Sequence, residues 1–282
     1  MKIFERSHLS LAKEQYAEID LRDRRIKLRS LFIATFLCVL LIIGLVSAEF
    51  SLTQIILGFN KLGLLISLMF PPSPGPRLWT YIGAMGETLS IAFLGTLIAS
   101  IFAFPISVLA SRNIIPVWIL RFSLRRIFDT IRGVDTLIWA LIWIGVVGLG
   151  PFAGVLAIAI SDFGALSRLF SETIETADQK PVEGIRSTGG TLFQEFRFAI
   201  LPQVFPIIAG QMLYFFESNT RSATIIGIVG AGGIGLHLSE QIHSGEWTRV
   251  SFIILMIMIV VSVIDYISSR VRQSIMGPVR ST

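Results

Sequence analysis

The stretch ATIIGIVGAGGIGLHL, from Ala223 to Leu238, decides how this chain is interpreted. Within it an apolar run leads into Gly230, Gly232 and Gly235, which match the G-x-G-x-x-G pattern of dinucleotide-binding loops. The pattern indicates a nucleotide site only where a strand precedes it and a helix of an alternating β and α domain follows. The surrounding chain must therefore show which kind of protein carries these glycines.

The composition predicts a membrane protein. Of 282 residues, 53% are hydrophobic and only 15% are charged, and the mean hydropathy is +0.73. Soluble domains carry about 25% charged residues, so this chain has too little polar surface to cover itself in water. Cys38 is the single cysteine, which excludes a disulfide within the chain, and the three histidines are too scattered to suggest a metal cage. The first apolar run begins near residue 30 and is long enough to remain as an anchor.

Six apolar segments are candidates for membrane-spanning helices, which need about 20 apolar residues each. We expect an all-α membrane protein of about six spans, with a kink at Pro105 and a tight turn at Gly150-Pro151. The predicted segments are Leu31–Ala48, Leu89–Ala110, Leu137–Val147 entered from near Arg132, Phe152–Phe170, Val204–Ile228 and Phe252–Ile267.

The lysines and arginines predict the orientation. They concentrate before the first span, between the second and third, between the fourth and fifth, and after the sixth. With six spans these segments share one side, which the positive-inside rule assigns to the cytoplasm. Both termini are then cytoplasmic, and the net charge of +5 reflects topology rather than binding of nucleic acid.

This topology rejects the nucleotide interpretation of the opening stretch. The glycines follow one long apolar helix and precede another, with no alternating strands around them. In a membrane protein, glycines permit close approach of helices and non-helical backbone around a pore. We therefore expect Gly227, Gly230, Gly232, Gly233 and Gly235 to bend the outer end of the fifth span near a gate; the alternative is that they only permit tight packing.

The segments outside the spans suggest one membrane domain. Residues 1–29 form either an amphipathic helix on the inner membrane surface or a charged tail. The external segment 51–80 is apolar, and an interfacial helix over Ile55–Ile66 is expected to end at the proline-rich stretch Pro71–Pro76. No internal repeat is visible, so the predicted organisation is residues 1–29, a transmembrane domain over 30–272 and a cytoplasmic tail over 273–282.

The loop from about 178 to 202 predicts an elbow outside the membrane. Its sequence from Pro181 continues PVEGIRSTGGTLFQEFRFAILPQVFP. Glu183 suits the start of a short helix, Gly189-Gly190 breaks it, and a second helix is expected to reach Ile200 before Leu201-Pro202 restarts the chain. The phenylalanines of the second helix argue against full exposure of the elbow to solvent, so the elbow could bind in a groove of another protein. The alternative is a solvated connector.

The same loop resembles the conserved motif of ABC importer permeases, which is E-A-A, three residues, glycine, nine residues, then I-x-L-P. Glu183-Gly184-Ile185, Gly189 and Ala199–Pro202 fall at that spacing. Gly184 and Ile185 replace the two alanines and Ala199 replaces the isoleucine, all of them small or apolar changes. The resemblance implies that the elbow couples to an ATPase through Glu183, Gly184, Ile185, Arg186, Gly189, Gly190, Phe193, Leu201 and Pro202.

Three longer stretches are similar to phosphonate-type ABC transporter permeases: GLGPFAGVLA at 148–157, PVEGIRSTGG at 181–190 and FESNTRSATIIGIVGAGGIG at 216–235. The resemblance covers roughly Gly86 to Arg272. It implies the fold of a type I importer permease in a bacterial inner membrane and import of phosphonate, phosphite, hypophosphite or phosphate. It also implies a second permease subunit in a homodimer, an extracytoplasmic binding protein, and two ATPase subunits that hold ATP and Mg, with no cofactor in this chain.

Charged residues inside the spans are functional candidates by default, because a lone charge in a bilayer costs several kcal/mol. Glu217 and Arg221 lie four residues apart and share a helix face. We expect them to line the translocation pathway near the external gate; the alternative is a structural ion pair. A polar collar accompanies them, formed by Ser218, Asn219, Thr220, Ser222 and Thr224.

Other charged residues carry weaker expectations. Asp129, Arg132 and Asp135 recur at three-residue spacing near the inner end of the third span, where a structural role is expected. Glu87 opens the second span and is a candidate for the outer gate, and Asp162 has no assigned partner.

Three classes of function compete. No G-x-x-x-x-G-K-[ST] motif is present, so this chain is expected not to hydrolyse ATP, and no catalytic residues are assigned. An intramembrane enzyme acting on lipid head groups would need converging acids or histidines, which stand at no catalytic spacing here. An ion-coupled secondary transporter would usually show inverted repeats. The favoured interpretation is the transport subunit of an ATP-driven importer.

Overall fold

The computed structural model describes residues 29–114 and 117–276, and nearly all of them are helical. Most of the predicted N-terminal segment 1–29 and the last six residues of the predicted tail lie outside the described residues. The chain divides into two compact units, Met1–Leu64 and Leu65–Thr282. The helices are α1 (Arg29–Ser47), α2 (Leu52–Leu68), α3 (Leu78–Ala110), α4 (Trp118–Arg132), α5 (Thr136–Val147), α6 (Pro151–Glu175), α7 (Gln179–Ser187), α8 (Leu192–Gln194), α9 (Leu201–Ile228), α10 (Gly233–His243) and α11 (Trp247–Met276).

The described part of the first unit contains α1 and most of α2. Helix α1 is long and apolar enough to cross a membrane, and every described side chain of it is exposed within the chain. It matches the predicted first span to within two residues. Helix α2 confirms the helix predicted over Ile55–Ile66, and it ends before the proline-rich stretch as expected.

The second unit is built on α3, α6 and α9. Helices α3 and α6 pack closely because a glycine of each helix leaves room for an isoleucine of the other: a Cβ atom added at Gly95 would lie 2.6 Å from the Cγ2 atom of Ile158, and one at Gly154 would lie 3.1 Å from that of Ile91. Ala92, Ala99 and Ala157 are fully or almost fully buried at the same contact. Small residues at a helix interface are typical of membrane proteins, where van der Waals packing rather than the hydrophobic effect holds helices together.

Three buried clusters follow one another along these helices. One joins the late part of α3 and α6 to the elbow and the start of α9, through residues such as Phe170, Val182 and Val204. A middle cluster includes Ile158 and Ile226, and the third joins the beginning of α3 to α10 and α11. The elbow and α10 are thus packed at opposite ends of the same core.

The predicted spans are present, and several are longer than expected. Helix α3 starts at Leu78 rather than Leu89, directly after the proline-rich stretch, and Glu87, which suggested an interface, lies inside it and accepts a hydrogen bond from the N–H of Gly233. Pro105 lies within α3 without ending it. Helix α6 starts directly after the predicted turn at Gly150 and continues past Phe170, and α9 ends at Ile228 as predicted.

The third span has the predicted core, Leu137–Val147, but a bend precedes it. Helix α5 has only 12 residues, and α4 meets it at an angle of 84° across a short break at Gly133. The residues that follow Arg132 form the break between the two helices and do not extend the span. The segment between the second and third spans contains α4, an amphipathic helix that was not predicted from the sequence.

The elbow also differs in detail from the prediction. Helix α7 begins at Gln179 because the Asp178 carboxylate caps it by accepting from the backbone N–H of Lys180, so Glu183 lies inside the helix. Residues Glu195–Ile200 form a π-helix that continues into α9 without a break. Pro202 does not restart the chain: it has no N–H to donate, and the wider π turn before it accommodates that loss.

Candidate functional site

The elbow is held together by one ion pair and by its glycines. Both guanidinium nitrogens Nε and Nη2 of Arg186 donate to the carboxylate of Glu195, at 3.0 and 2.9 Å, and tie α7 to the π-helix. Gly189 has φ of +81°, which a residue with a side chain rarely adopts. At Gly190 a Cβ atom would meet Ile185 Cγ2 at 2.5 Å, so this glycine allows the turn to close on α7. The predicted break at the two glycines is confirmed.

One side of the elbow is packed and the other is open. Val182 is buried and Ile185 and Phe196 pack against the core, which confirms part of the expectation that the aromatics are not free in solvent. Phe193 and Phe198, in contrast, are 69% and 61% exposed within the chain. Glu183, Gly184 and Pro202 are also exposed, and Leu201 is half-buried. The elbow therefore presents a mixed apolar and charged surface that its own chain does not cover.

Glu217 and Arg221 belong to a larger network than the sequence indicated. Their carboxylate and guanidinium groups are 3.8 Å apart, but each has a closer partner on α11. Arg272 donates to Glu217 at 2.9 Å, and Arg221 donates to Asp265 at 3.3 Å. These four residues, the charge quartet, join α9 to α11. Arg221 stays 47% exposed, whereas the Glu217 side chain is only 16% exposed.

The predicted polar collar is divided between two sides of α9. Asn219 is buried, and its amide donates to the hydroxyl of Thr96 at 2.7 Å and to the carboxylate of Asp162. Thr220 is buried as well, so neither residue provides a donor on an open face of this chain. Ser218 and Ser222 are half-buried next to Arg221. The partner that the sequence did not assign to Asp162 is therefore Asn219.

The glycine turn is a break between two helices. Helix α9 ends at Ile228 and α10 starts at Gly233, and Gly230, Gly232 and Gly233 all have positive φ, of 106°, 83° and 71°. This confirms the predicted bend. Glu87 accepts from the backbone N–H of Gly233 at 3.1 Å. No strand lies in the described part of the chain, and side chains of α3 cap the helix start that a pyrophosphate would need in a nucleotide site.

Gly227 and Gly235 let α9 and α10 touch backbone to backbone. A Cβ atom at Gly227 would lie 2.5 Å from the carbonyl oxygen of Gly232, and one at Gly235 would lie 2.0 Å from that of Thr224. The turn is also tied to the start of α6, because the N–H of Gly150 donates to the carbonyl of Gly230 at 3.0 Å. The glycines thus allow a bend and close packing at neighbouring positions, and a gate at this bend stays a prediction.

Sequence reasoning missed Thr96, Asp265 and Arg272. Asp265 could have been found from the sequence, because it lies inside the predicted sixth span and a carboxylate within a membrane needs a partner. Two of the remaining charged candidates have structural partners: Asp129 forms an ion pair with Arg168, and Asp135 caps α5 by accepting from Leu137 N–H. Among residues 29–114 and 117–276, no three histidine, cysteine, aspartate or glutamate side chains are placed to hold a metal ion.

Comparison with known proteins identifies the family. Residues 103–276 match the model of the binding-protein-dependent transport system inner membrane component. The permease HtxC of Stutzerimonas stutzeri, named for a phosphite transport system, is 38% identical over 224 residues, which is 79% of each chain. The phosphite transport system permease protein PtxC of the same organism is 34% identical over 82% of each chain.

The fold is also shared with a solved transporter. The permease chain of the MetNI methionine ABC transporter, in an inward-facing conformation, superposes with a TM-score of 0.63 at 20% sequence identity, covering 72% of this chain and 99% of that one. The predicted all-α fold and the favoured transport function are confirmed over the intramembrane enzyme and the secondary transporter. The chain belongs to the family of inner membrane components of binding-protein-dependent transport systems, as the permease subunit of an ABC importer whose ATPase is a separate subunit.

Proposed function

We propose that this permease imports a phosphorus oxyanion of the phosphonate, phosphite, hypophosphite or phosphate class. The observation that carries the proposal is the agreement of the relatives' names over most of the chain. HtxC and PtxC are named for phosphite transport, and the phosphate-import permease protein PhnE of Mycolicibacterium smegmatis is 35% identical over 76% of this chain and 40% of its own length.

Uptake tests the substrate class directly. A host that lacks its own phosphorus transporters should take up labelled phosphite, methylphosphonate or phosphate when it expresses this permease with its ATPase and binding protein. Methionine, which the structurally similar transporter carries, is the matched negative substrate. Uptake of methionine without uptake of any phosphorus oxyanion contradicts the proposal.

The elbow is the proposed contact with the ATPase, on the cytoplasmic side with both termini. Supporting this, Phe193 and Phe198 are exposed on a segment that is otherwise tightly fixed by the Arg186–Glu195 pair. Arginines gather at the same end of the second unit, where Arg112 and Arg125 meet Glu175 at the end of α6. Basic residues at that end fit the positive-inside rule.

The coupling proposal is tested at Gly189. Valine there would oppose the positive φ and distort the turn, although nothing lies within 4 Å of the added Cβ. We expect Gly189→Val to leave the permease in the membrane but to abolish transport-coupled ATP hydrolysis. Gly245→Val is the matched control, since Gly245 also has a positive φ, of 72°, and open space, at the opposite end of the unit. Equal loss of coupling in both variants, or normal coupling in Gly189→Val, refutes the assignment.

A second copy of this chain is the proposed partner within the membrane. The exposed apolar helix α1 and the exposed faces of α9 and α11 are available to it. The competing arrangement is a pair of two different permeases. It is suggested by HtxC and HtxE, two distinct phosphite permeases of one organism that are 38% and 35% identical to this chain. Two differently tagged copies of this chain should co-purify with one ATPase pair; a complex that holds only one tag instead indicates pairing with a different permease.

Arg221 is the proposed pathway residue. Its guanidinium is half exposed next to Ser218 and Ser222, and a fixed positive charge offsets part of the desolvation cost of a passing anion. Because Arg221 pairs more closely with Asp265 than with Glu217, the informative variant combines Arg221→Ala with Asp265→Asn, which leaves Glu217 paired to Arg272. If this variant assembles, retains stimulated ATPase activity and fails to transport, the pathway role holds; normal transport shows that the pair is structural.

A further inference from the structure

A basic cleft lies between α4 and α6, away from the elbow and the charge quartet. It has a volume of about 410 Å³, and its lining consists of Trp118, Arg121, Phe122, Arg125, Arg126 and Asp129 of α4 together with Arg168 of α6. The α4 residues are related by steps of three and four, so they share one face of the helix. Nothing in the transport function above uses this cleft.

Helix α4 is placed like a helix that lies along a membrane surface. It makes an angle of 84° with α5, so it runs nearly in the membrane plane if α5 runs along the normal. It lies at the end of the unit where α3 and α6 finish, since Arg125 reaches Glu175, the last residue of α6. Trp118 and Ile119 are 63% and 70% exposed within the chain. Exposed aromatic and aliphatic residues on a basic helix are typical of interfacial helices.

The arginines of the cleft are only partly neutralised. Arg168 pairs with Asp129 and with Glu172, and Arg125 pairs with Glu175 at 2.6 Å. Within the described ranges, Arg121 and Arg126 have no carboxylate within ion-pair distance. Two guanidinium groups therefore remain to bind an anion.

The aromatic residues hold one of these arginines at the cleft. The guanidinium of Arg126 lies over the ring of Phe122, 5.2 Å from its centre, and the ring of Trp118 stacks on Phe122 at 5.5 Å. Such stacking fixes the side chain and reduces the entropy lost when it binds a ligand. The cleft thus combines a positioned guanidinium with an apolar rim.

We propose that this cleft binds the phosphate group of an anionic phospholipid of the inner leaflet. A guanidinium group can donate two parallel hydrogen bonds to two oxygens of one phosphate group. Clusters of arginine next to a membrane attract anionic lipids. A free phosphate ion would pair with the arginines but would leave the exposed Trp118 and Ile119 beside them in contact with water. The acyl chains of a lipid would cover these two residues, which makes the lipid the better ligand.

Quenching of tryptophan fluorescence tests the proposal in the full chain reconstituted into phosphatidylcholine vesicles. The contribution of Trp118 is the difference between the parent chain and Trp118→Phe. Brominated phosphatidylglycerol should quench this contribution at a lower mole fraction than brominated phosphatidylcholine does. Loss of one arginine should reduce the preference for phosphatidylglycerol about fivefold, and loss of both Arg121 and Arg126 about thirtyfold.

Matched variants make the outcome decisive. Arg270 is the control for Arg126, because its guanidinium also lies over an exposed aromatic ring, that of Tyr266 at 5.3 Å, but outside the cleft. Arg270→Ala should keep the preference, and the charge-conserving Arg121→Lys with Arg126→Lys should keep most of it. No preference in the parent, or an equal loss in Arg270→Ala, overturns the proposal. Equal quenching by the two brominated lipids, together with binding of inorganic phosphate that is lost in the double variant of Arg121 and Arg126, shows that the cleft binds the free ion, which also overturns it.

Discussion

Replacement of Gly235 by alanine tests whether the contact between α9 and α10 is needed for the permease to assemble. The added Cβ atom would lie 2.0 Å from the carbonyl oxygen of Thr224, 2.9 Å from Cα of Gly227 and 2.9 Å from the backbone nitrogen of Ile228. All three obstacles are backbone atoms of α9, which cannot rotate away as the end of a side chain can. The helices must therefore separate.

The size of the effect follows from these distances. Carbon atoms pack at about 3.5–4.0 Å, so α10 would have to move by more than roughly 1 Å. Overpacking of a core costs about 1–3 kcal/mol, and a clash with backbone belongs at the upper end. A loss of about 3 kcal/mol corresponds to a fall in melting temperature of about 6–12 °C for a chain of this size.

Thermal unfolding in detergent measures this change, and uptake in cells shows whether transport is lost with it. Gly83→Ala is the matched control, because nothing lies within 4 Å of a Cβ at that position of α3. Alanine there should raise the free energy of unfolding by about 0.4–1 kcal/mol, because it reduces the conformational entropy of the unfolded chain. A Gly235→Ala protein with an unchanged melting temperature and normal uptake would refute the argument that the backbone contact matters.

Two further predictions concern the partners of α3. Asn219→Ala leaves the buried carboxylate of Asp162 without its amide donor, and we expect the free energy of unfolding to fall by about 2 kcal/mol. Thr96→Val leaves that donor in place and should lower the free energy of unfolding by less; both are measured by thermal unfolding. Glu87→Ala leaves the N–H of Gly233 uncapped at the start of α10 and should cost about 1 kcal/mol; Glu87→Gln keeps an acceptor oxygen and should be milder, so equal losses in the two variants would argue against a capping role.

The sequence predicted the helices well because the signal for a span is local. Apolar runs and breakers give the ends of α1 and α9 within a few residues, and Gly150-Pro151 marks the start of α6. The elbow was found for the same reason, since two adjacent glycines end a helix whatever surrounds them. Two helices were missed: α4, whose arginines interrupt its apolar residues so that no apolar run marks it, and α10, which is short and directly follows the glycines.

The partners of the intramembrane charges could not be predicted in the same way. Spacing of four residues places Glu217 and Arg221 on one face and correctly brings them within 3.8 Å. It gives no information about where α11 packs, and the packing of α11 against α9 is what brings Arg272 and Asp265 closer. The division of the polar collar has the same cause, because only the position of α6 shows that Asn219 faces Asp162.

Helix continuity connects the elbow with the glycine turn. Residues Leu192–Ile228 form one helical run of 37 residues, which at 1.5 Å per residue extends for about 55 Å. It begins in the elbow, carries the links to α11 and α6 within a few residues around Asn219, and ends where Gly227 touches α10. The π-helix Glu195–Ile200 and Pro206 lie near the elbow and are the first places where this run can bend. Beyond Pro206 the helix is regular up to Ile228, so a displacement of this part would be carried to the glycine turn, where a bend would convert it into a change between α9 and α10.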